Sequence, residues 1–338
     1  MSSRSHPDLR ALAARRNLVA AALFLGAVAV LATQPRLLGH QVADAVKGVA
    51  DARPIWLWSA GFSFLASLLA TSFAWRATLA LCGGELSHTD AAARYGVGSL
   101  VNGLSPARIG EAVRVGLFAC ALDGEDRGWR MGSAFAVITA LRSLVFALVV
   151  IAAAAVGAVP VWPVLVLVGS TALAAAIAYA VRDRAPRTRI AHALDAFRGL
   201  ARSPRTAAGI AARLALSTCV RFVGAAAIAA ALGVRAPFTA ALIIVPTLDV
   251  AGLIPLSGNV GITSGAVAIA LRQHGVALSQ ALATGLAFHA VETGAGIAFG
   301  AAGVLLLAGR RRLIVVTAAG AAACIAGAFC ATVLVPLA

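Results

Sequence analysis

Lysine is almost absent from this sequence: Lys47 is the only one among 28 basic residues, and just 13 acidic residues accompany them. Charged residues make up only 12% of the 338 residues, whereas 61% are hydrophobic and the mean hydropathy is +0.91. Because a soluble protein cannot hide that much apolar surface, the composition indicates a polytopic membrane protein. The net charge of +15 is carried by arginines in short loops and at helix ends, which set topology and contact anionic lipids. We therefore expect no nucleic-acid partner.

Motifs of the common enzyme classes are also missing. The sequence contains no P-loop, no GxSxG elbow and no HExxH pair, which excludes the nucleotide, serine-hydrolase and zinc-protease sites that these motifs mark. The five cysteines lie inside apolar segments without the paired spacing of a zinc site, so they are interpreted as small buried hydrophobes. We expect no metal, no cofactor and no catalytic residue.

Apolar runs and basic loops predict an all-α membrane protein with about seven spanning helices and two re-entrant helical hairpins. The predicted spans are 18–33, 55–80, 131–158, 164–181, 206–232, 278–307 and 313–335. We expect one membrane domain over 1–338, with the N-terminus in the cytoplasm because basic residues precede the first apolar run. Seven arginines make the loop 182–205 cytoplasmic. Whether the first helix, 18–33, is retained or cleaved as a secretory signal stays open. The expected divisions are an N-terminal helix and outer loop (1–54), a first repeat (55–181), the basic loop (182–205), a second repeat (206–308) and a C-terminal helix (313–336).

The two predicted hairpins are 89–122 and 238–272. The apolar halves of the first, 91–101 and 109–122, are shorter than the roughly 20 residues that a crossing needs. Both of its flanks are charged and read as cytoplasmic, whereas both flanks of the second read as external. One hairpin entering from each face is the pattern of an inverted repeat, which places binding chemistry near the bilayer midplane.

Each hairpin break is followed by a helix start that suits an anion. Ser105 followed by Pro106 supplies a capping hydroxyl and a first-turn proline, and Ser257 followed by Gly258 has the same role for the arm that follows the second break. The free backbone N–H groups and the positive dipole end at a helix N-terminus form a favourable binding site for phosphate or carboxylate. Arginines within the membrane need a counter-charge or a wet cavity, so they are further candidates. The candidate substrate-binding residues are Ser105, Arg108, Glu111, Arg114, Arg142, Arg221, Ser257 and Asn259.

Three further ionisable residues, Asp249, His289 and Glu292, are candidates for proton coupling. His289 and Glu292 are three residues apart on one helix, so they form either a structural hydrogen-bonded pair or a coupling pair. Asp249 needs Arg142, Arg221 or a cavity as its partner. Glu111 and Arg114 have the same spacing, and they either neutralise each other or hold a ligand.

The segment Pro106-Ala107-Arg108-Ile109-Gly110-Glu111-Ala112-Val113-Arg114 resembles the P-x-R-x-G-E-x-x-R element of the lysylphosphatidylglycerol synthase transmembrane-region family. Arg142 matches the arginine of the family's next helix, and the resemblance covers about 59–307. It implies a lipid flippase-like membrane protein. The second hairpin departs from the family pattern, because Ser257-Gly258-Asn259-Val260-Gly261 replaces P-G-G-x-G and Thr263 and Ser264 stand where a glutamate is usual. Two departures lie outside the hairpins: Leu141 replaces a glutamate, and His289 replaces an arginine.

These features together predict a translocator for a lipid with an anionic or phosphate headgroup, such as a phospholipid or a polyprenyl-phosphate-linked sugar, in the bacterial cytoplasmic membrane. Arg108, Arg114 and Arg142 would hold the phosphate, and Glu111 would orient an arginine. The sequence shows no soluble aminoacyl-transferase domain, so we do not expect it to synthesise lysyl-lipid. Two alternatives stay open: an intramembrane lipid-linked transferase that uses Glu111 or Asp249 as base, and a non-catalytic partner of a cell-envelope synthase. Assembly as a homodimer also stays open.

Overall fold

The structure is a computed structural model that describes residues 47–49, 51–104, 109–124, 126–155, 157, 169, 196–251 and 260–309. The described residues contain eight main helices and no strand. The helices are α1 (Pro54–Leu81), α2 (His88–Leu104), α3 (Ile109–Ala119), α4 (Arg127–Ala155), α5 (Pro204–Ala231), α6 (Pro237–Ala251), α7 (Val260–Gln273) and α8 (Leu278–Leu307).

Four of these helices, α1, α4, α5 and α8, are long and apolar enough to cross a membrane. They correspond to four of the predicted spans, and α8 has the predicted bounds, 278–307. The expectation of a multi-pass helical membrane protein is therefore confirmed. Of the other predicted spans, 18–33 and 313–335 lie outside the described residues, and 164–181 is described only at Gly169.

The remaining helices form two consecutive short pairs, α2 with α3 and α6 with α7. They contain 17, 11, 15 and 14 residues, fewer than the roughly 20 of a full crossing. Gly98 of α2 and Gly110 of α3 bring the first pair into close contact, since a Cβ at Gly110 would collide with the Gly98 carbonyl oxygen. The breaks between the partners, 105–108 and 252–259, lie outside the described residues.

The same order of helix lengths occurs twice along the chain. We call α1–α4 the first set and α5–α8 the second set. The helices of the first set contain 28, 17, 11 and 29 residues, and those of the second set contain 28, 15, 14 and 30 residues. Helices α1 and α5 both begin with proline, which suits the first helical turn, and both are followed by a glycine with positive φ, Gly83 at 77° and Gly233 at 69°.

The two sets also share a polar contact at the end of their first helix. The Arg130 guanidinium donates to the Cys82 carbonyl, and the Gln280 amide donates to the Leu232 carbonyl at 2.7 Å. In both cases 48 residues separate donor and acceptor. Because a helix leaves its last carbonyls without intrahelical partners, each contact satisfies one of them and ties the long helices of a set together.

Helices α1 and α5 pack against each other in antiparallel orientation. At one end the Arg53 backbone N–H, just before α1, donates to the Ala231 carbonyl of α5 at 3.1 Å. At the other end Gly199, just before α5, lies against Leu81 at the end of α1. Midway, the hydroxyl oxygens of Ser67 and Ser217 are 2.8 Å apart. The two sets therefore meet through equivalent helices that run in opposite directions.

A second extensive contact joins α2 of the first set to α8 of the second. A Cβ at Gly300 would lie 2.6 Å from the Gly96 carbonyl oxygen, and one at Gly303 would lie 2.5 Å from that of Ala93. Small residues at these positions let the two backbones approach closely, as is typical of membrane helix pairs. Helices α6 and α4 are the counterparts of α2 and α8 in the order of the two sets. In the described part of the chain they have a small contact between Ala153 and Leu242.

Candidate functional site

Arg114 is the centre of a buried polar cluster in the first set. Its guanidinium forms an ion pair with Glu111 at 2.7 Å and donates to the Ser99 hydroxyl at 3.1 Å. The guanidinium carbon also lies 3.9 Å from the centre of the Tyr95 ring and 5.9 Å from that of Trp75. A charge that loses its water needs such partners, and the two rings supply cation–π attraction where water is excluded.

Helix periodicity explains how the residues of the Arg114 cluster meet. Tyr95 and Ser99 are four residues apart and share one face of α2, while Glu111 and Arg114 are three apart on α3. The side chain of Arg114 fits against α2 because Gly98 has none; a Cβ there would lie 2.9 Å from Nε. The glycine contact that closes the hairpin thus also makes room for the arginine.

Arg221 forms a second polar cluster, which we call the Arg221 triad, with Asp249 and Glu292. Its Nη1 atom is 2.7 Å from Asp249 Oδ1, and its Nε atom is 2.9 Å from Glu292 Oε1. The three side chains come from α5, α6 and α8, so the triad joins three helices of the second set. One guanidinium therefore neutralises one of two carboxylates.

Two other candidates lie apart from these clusters. Arg142, halfway along α4, is exposed, and no described residue forms an ion pair with it. His289 Nε2 is 3.4 Å from Thr293 Oγ1, one turn further along α8. Glu292 pairs with Arg221 instead, so the structure does not show the hydrogen-bonded pair of His289 and Glu292 that the spacing allowed.

The structure brings together some of the predicted site residues but does not describe all of them. Glu111 contacts Arg114, and Asp249 finds its partner in Arg221, one of the options that the sequence left open. The predicted residues that lie outside the described part of the chain are Ser105, Arg108, Ser257 and Asn259. Their roles in binding stay predictions.

Sequence reasoning missed the aromatic and hydroxyl partners of Arg114. A tryptophan near the end of a span is typical of an interfacial aromatic belt, but Trp75 is only 2% exposed and packs against Phe118 and Phe135. Ser99 and Tyr95 were read as part of an apolar run. The signal that could have found them is their four-residue spacing beside Gly98, which marks a polar face of α2 that approaches another helix.

These helices and partly buried ion pairs define a multi-pass membrane protein with ionisable groups inside its helical bundle. The chain belongs to the family described as Lysylphosphatidylglycerol synthase TM region, whose model matches residues 17–300. The family places it among membrane proteins of the lipid-related flippase or synthase type. No curated protein and no solved structure gave a match.

Proposed function

We propose that the protein is a lipid translocator of the bacterial cytoplasmic membrane, with its N-terminus in the cytoplasm. The observation that supports this most is the antiparallel pairing of α1 and α5, equivalent members of two four-helix sets, around Ser67 and Ser217. Two equivalent sets related in this way form an inverted repeat, the architecture in which transporters alternate access to a site near the midplane.

The short helix pairs supply the site in this proposal. Each pair enters the membrane from one face and returns to it, so that the two breaks approach each other from opposite sides. Non-helical backbone at that depth is tolerated only where it is buried in protein or lines a wet cavity. The start of α3, whose first backbone N–H groups have no partner within the helix, then faces the cavity and binds a phosphate headgroup.

The arginines have different roles in this proposal. Arg114 is 4% exposed and surrounded by Glu111, Ser99 and two rings, so it positions Glu111 and the start of α3. Arg142 has no ion-pair partner among the described residues and is exposed, so it is available to a phosphate. Together with Arg108 it would hold the headgroup through charge-assisted hydrogen bonds while the lipid tails stay in the bilayer.

Ion pairing favours transport over the alternative of an intramembrane transferase. Glu111 and Asp249, the two acids that such an enzyme would use as bases, both contact arginine at 2.7 Å. In each of them an arginine already contacts a carboxylate oxygen that a base would have to offer to its substrate. The pair of Arg221 and Asp249 instead joins α5 to α6 within the second set.

Headgroup movement in liposomes tests the proposal. The protein is reconstituted with a fluorescent short-chain phosphatidylglycerol, and dithionite added outside destroys only the outer-leaflet label. We expect the wild type to expose the inner-leaflet label, and Arg142→Ala and Arg108→Ala to slow this by about tenfold, the effect of losing about 1.4 kcal/mol of binding. Arg213→Ala is the matched control, since Arg213 lies on α5 and donates to its own helix at Gly209. Unaltered movement in both variants would remove the proposed site.

A further inference from the structure

The Arg221 triad carries one more negative charge than its counterpart in the first set. The Arg114 cluster has one guanidinium and one carboxylate, and the Ser99 hydroxyl completes it without charge. In the triad two carboxylates share one guanidinium, which leaves a net charge of −1 when both are ionised. A surplus charge within the membrane is costly unless an incoming cation matches it.

The surplus is a specific departure from the arrangement of the first set. Ser67 and Ser217, which hold equivalent positions in the two sets, are 150 residues apart. At the same interval, Ser99 of the first set corresponds to Asp249 of the second, so a hydroxyl is replaced by a carboxylate. The same interval also relates Arg142 to Glu292, a cation to an anion. The second set therefore has acids at two places where the first set has a neutral and a basic residue.

We propose that Glu292 takes up one proton in each transport cycle, so that lipid movement is coupled to the proton gradient. This inference rests on the proposed function. The proton binds a carboxylate oxygen of Glu292 from one side of the membrane and leaves to the other side, and the gradient supplies the energy. One proton moving with one singly charged anionic lipid transfers no net charge.

Geometry selects Glu292 over Asp249 as the carboxylate that exchanges the proton. The Glu292 side chain is 37% exposed and lies 2.9 Å from the guanidinium, whereas that of Asp249 is 26% exposed and lies 2.7 Å from it. A proton must reach the group through water, so the more exposed and less tightly held carboxylate exchanges first. When Glu292 is protonated, Arg221 and Asp249 remain as a neutral pair.

The surroundings of Glu292 contain few other charges. On its own helix the nearest titratable group is His289, three residues earlier, and α5 contributes Arg221. The helices beside it present uncharged contacts, and their charged residues lie elsewhere. The contacts are Gly61 of α1 with Val291, Gly103 of α2 with Thr293 and Ser264 of α7 with Gly285. Asp249 of α6 faces Glu292 across Arg221, which both contact. The other charged or titratable residues on these helices are Arg76 of α1, His88, Asp90 and Arg94 of α2, Arg205 and Arg213 of α5 and Arg272 of α7.

Protonation of Glu292 would act on the fold through α8. Glu292 is the only described residue of α8 that forms an ion pair with α5, and a neutral carboxyl holds a guanidinium far less strongly than a carboxylate does. The same helix packs along α2 of the first set through Gly300 and Gly303. Releasing α8 from Arg221 therefore frees α8 from α5 of its own set while it stays packed on α2 of the first set, so that α8 can move with the first set during alternating access.

Chemical labelling identifies the exchanging carboxyl without any transport measurement. Dicyclohexylcarbodiimide enters membranes and reacts with protonated carboxyl groups, and mass spectrometry locates the adduct. We expect an adduct on Glu292 of the wild type that increases as the pH falls. Glu111 is the matched control, because its side chain is 34% exposed but lies in a neutral pair. Labelling of Asp249 in preference to Glu292, equal labelling of Glu111 and Glu292, or no adduct on Glu292 at any pH would overturn the inference.

A transport measurement tests the coupling. With the fluorescent phosphatidylglycerol probe, one proton per lipid predicts about tenfold accumulation for each pH unit imposed across the liposome. Glu292→Gln should reduce the ratio of rates with and without the gradient to about one, and Glu292→Asp should preserve the response. A wild type that moves lipid but responds to no proton gradient, or responds to sodium instead, would refute the coupling alone. A wild type that moves no lipid would refute the proposed function and the coupling with it.

Discussion

The hydroxyl oxygens of Ser67 and Ser217 lie 2.8 Å apart where α1 crosses α5, with 150 residues of chain between them. Thr71 joins them, its hydroxyl 2.7 Å from that of Ser217. Hydroxyl side chains are short, so they let two helices approach closely while hydrogen-bonding across the gap. Both serines occupy the same place in helices of 28 residues, so in the proposed inverted repeat the crossing lies on the two-fold axis that relates the two sets. We infer that it is the pivot of their relative motion.

A disulfide at the pivot should be tolerated. Points on a rotation axis stay together, so Ser67→Cys with Ser217→Cys should cross-link on oxidation and leave lipid movement within about twofold of the reduced protein. A cross-link between Gly103→Cys of α2 and Ile297→Cys of α8, which are adjacent but away from the pivot, should stop it. Gel mobility measures cross-linking and the liposome assay measures movement. Full inhibition by the pivot cross-link would show that α1 and α5 must separate.

Gly110→Ala should destabilise the first hairpin. The new methyl group would collide with the Gly98 carbonyl and the Asn102 amide, so the backbones of α2 and α3 must move apart. Overpacking of this kind costs about 1–3 kcal/mol, which thermal unfolding in detergent can measure. Gly116→Ala on the same helix has no heavy atom within 4 Å of its new Cβ, so it should unfold like the wild type. Equal melting of the two variants would contradict the close packing of the hairpin.

The contact between α2 and α8 gives a second matched pair of glycine variants. At Gly300 an added methyl group meets Leu100 and lies 2.6 Å from the Gly96 carbonyl oxygen, whereas at Gly294 it meets nothing within 4 Å. Gly300→Ala should therefore lower the melting temperature and Gly294→Ala should not. The free energies of unfolding of the two variants should differ by about 1–3 kcal/mol. A Gly300→Ala protein as stable as the wild type would mean that α2 and α8 lie further apart.

Arg221→Gln should lower the stability of the protein far more than Arg213→Gln on the same helix. Removing Arg221 leaves two carboxylates without their cation inside the protein, a loss of about 3–5 kcal/mol, whereas Arg213 bonds only to its own helix at Gly209. Combining Arg221→Gln with Asp249→Asn and Glu292→Gln removes all three charges and should restore most of the stability. Thermal unfolding checks both steps. If the triple variant is no more stable than Arg221→Gln alone, charge pairing is not what stabilises the triad.

Helix positions could be predicted from the sequence because local chemistry determines them. A run of apolar residues long enough for the bilayer identified α8 over 278–307, and α3 begins at Ile109, where the second arm was predicted. Glu111 and Arg114 could be paired from their spacing on one helix alone.

Contacts between helices could not be predicted in the same way. Asp249 could have paired with Arg142 or Arg221, and only the packing of α5, α6 and α8 selects Arg221. Trp75 lies in an apolar helix whose lipid-facing and protein-facing sides are about equally hydrophobic, so hydropathy could not show that it is buried. The hydroxyl contact of Ser67 and Ser217 likewise depends on two distant segments crossing.

Labelling the flanks of the two short helix pairs tests the central claim, that they are re-entrant hairpins from opposite faces. Single cysteines replace Ser87, Asp123, Arg235 and His274, all exposed residues that flank the pairs, in a protein without other cysteines. A thiol reagent that cannot cross the membrane is applied to sealed cells. We predict labelling of Arg235→Cys and His274→Cys from outside, and of Ser87→Cys and Asp123→Cys only after permeabilisation. Labelling of the two flanks of either pair from opposite sides would show that the pair crosses the membrane and would contradict the account.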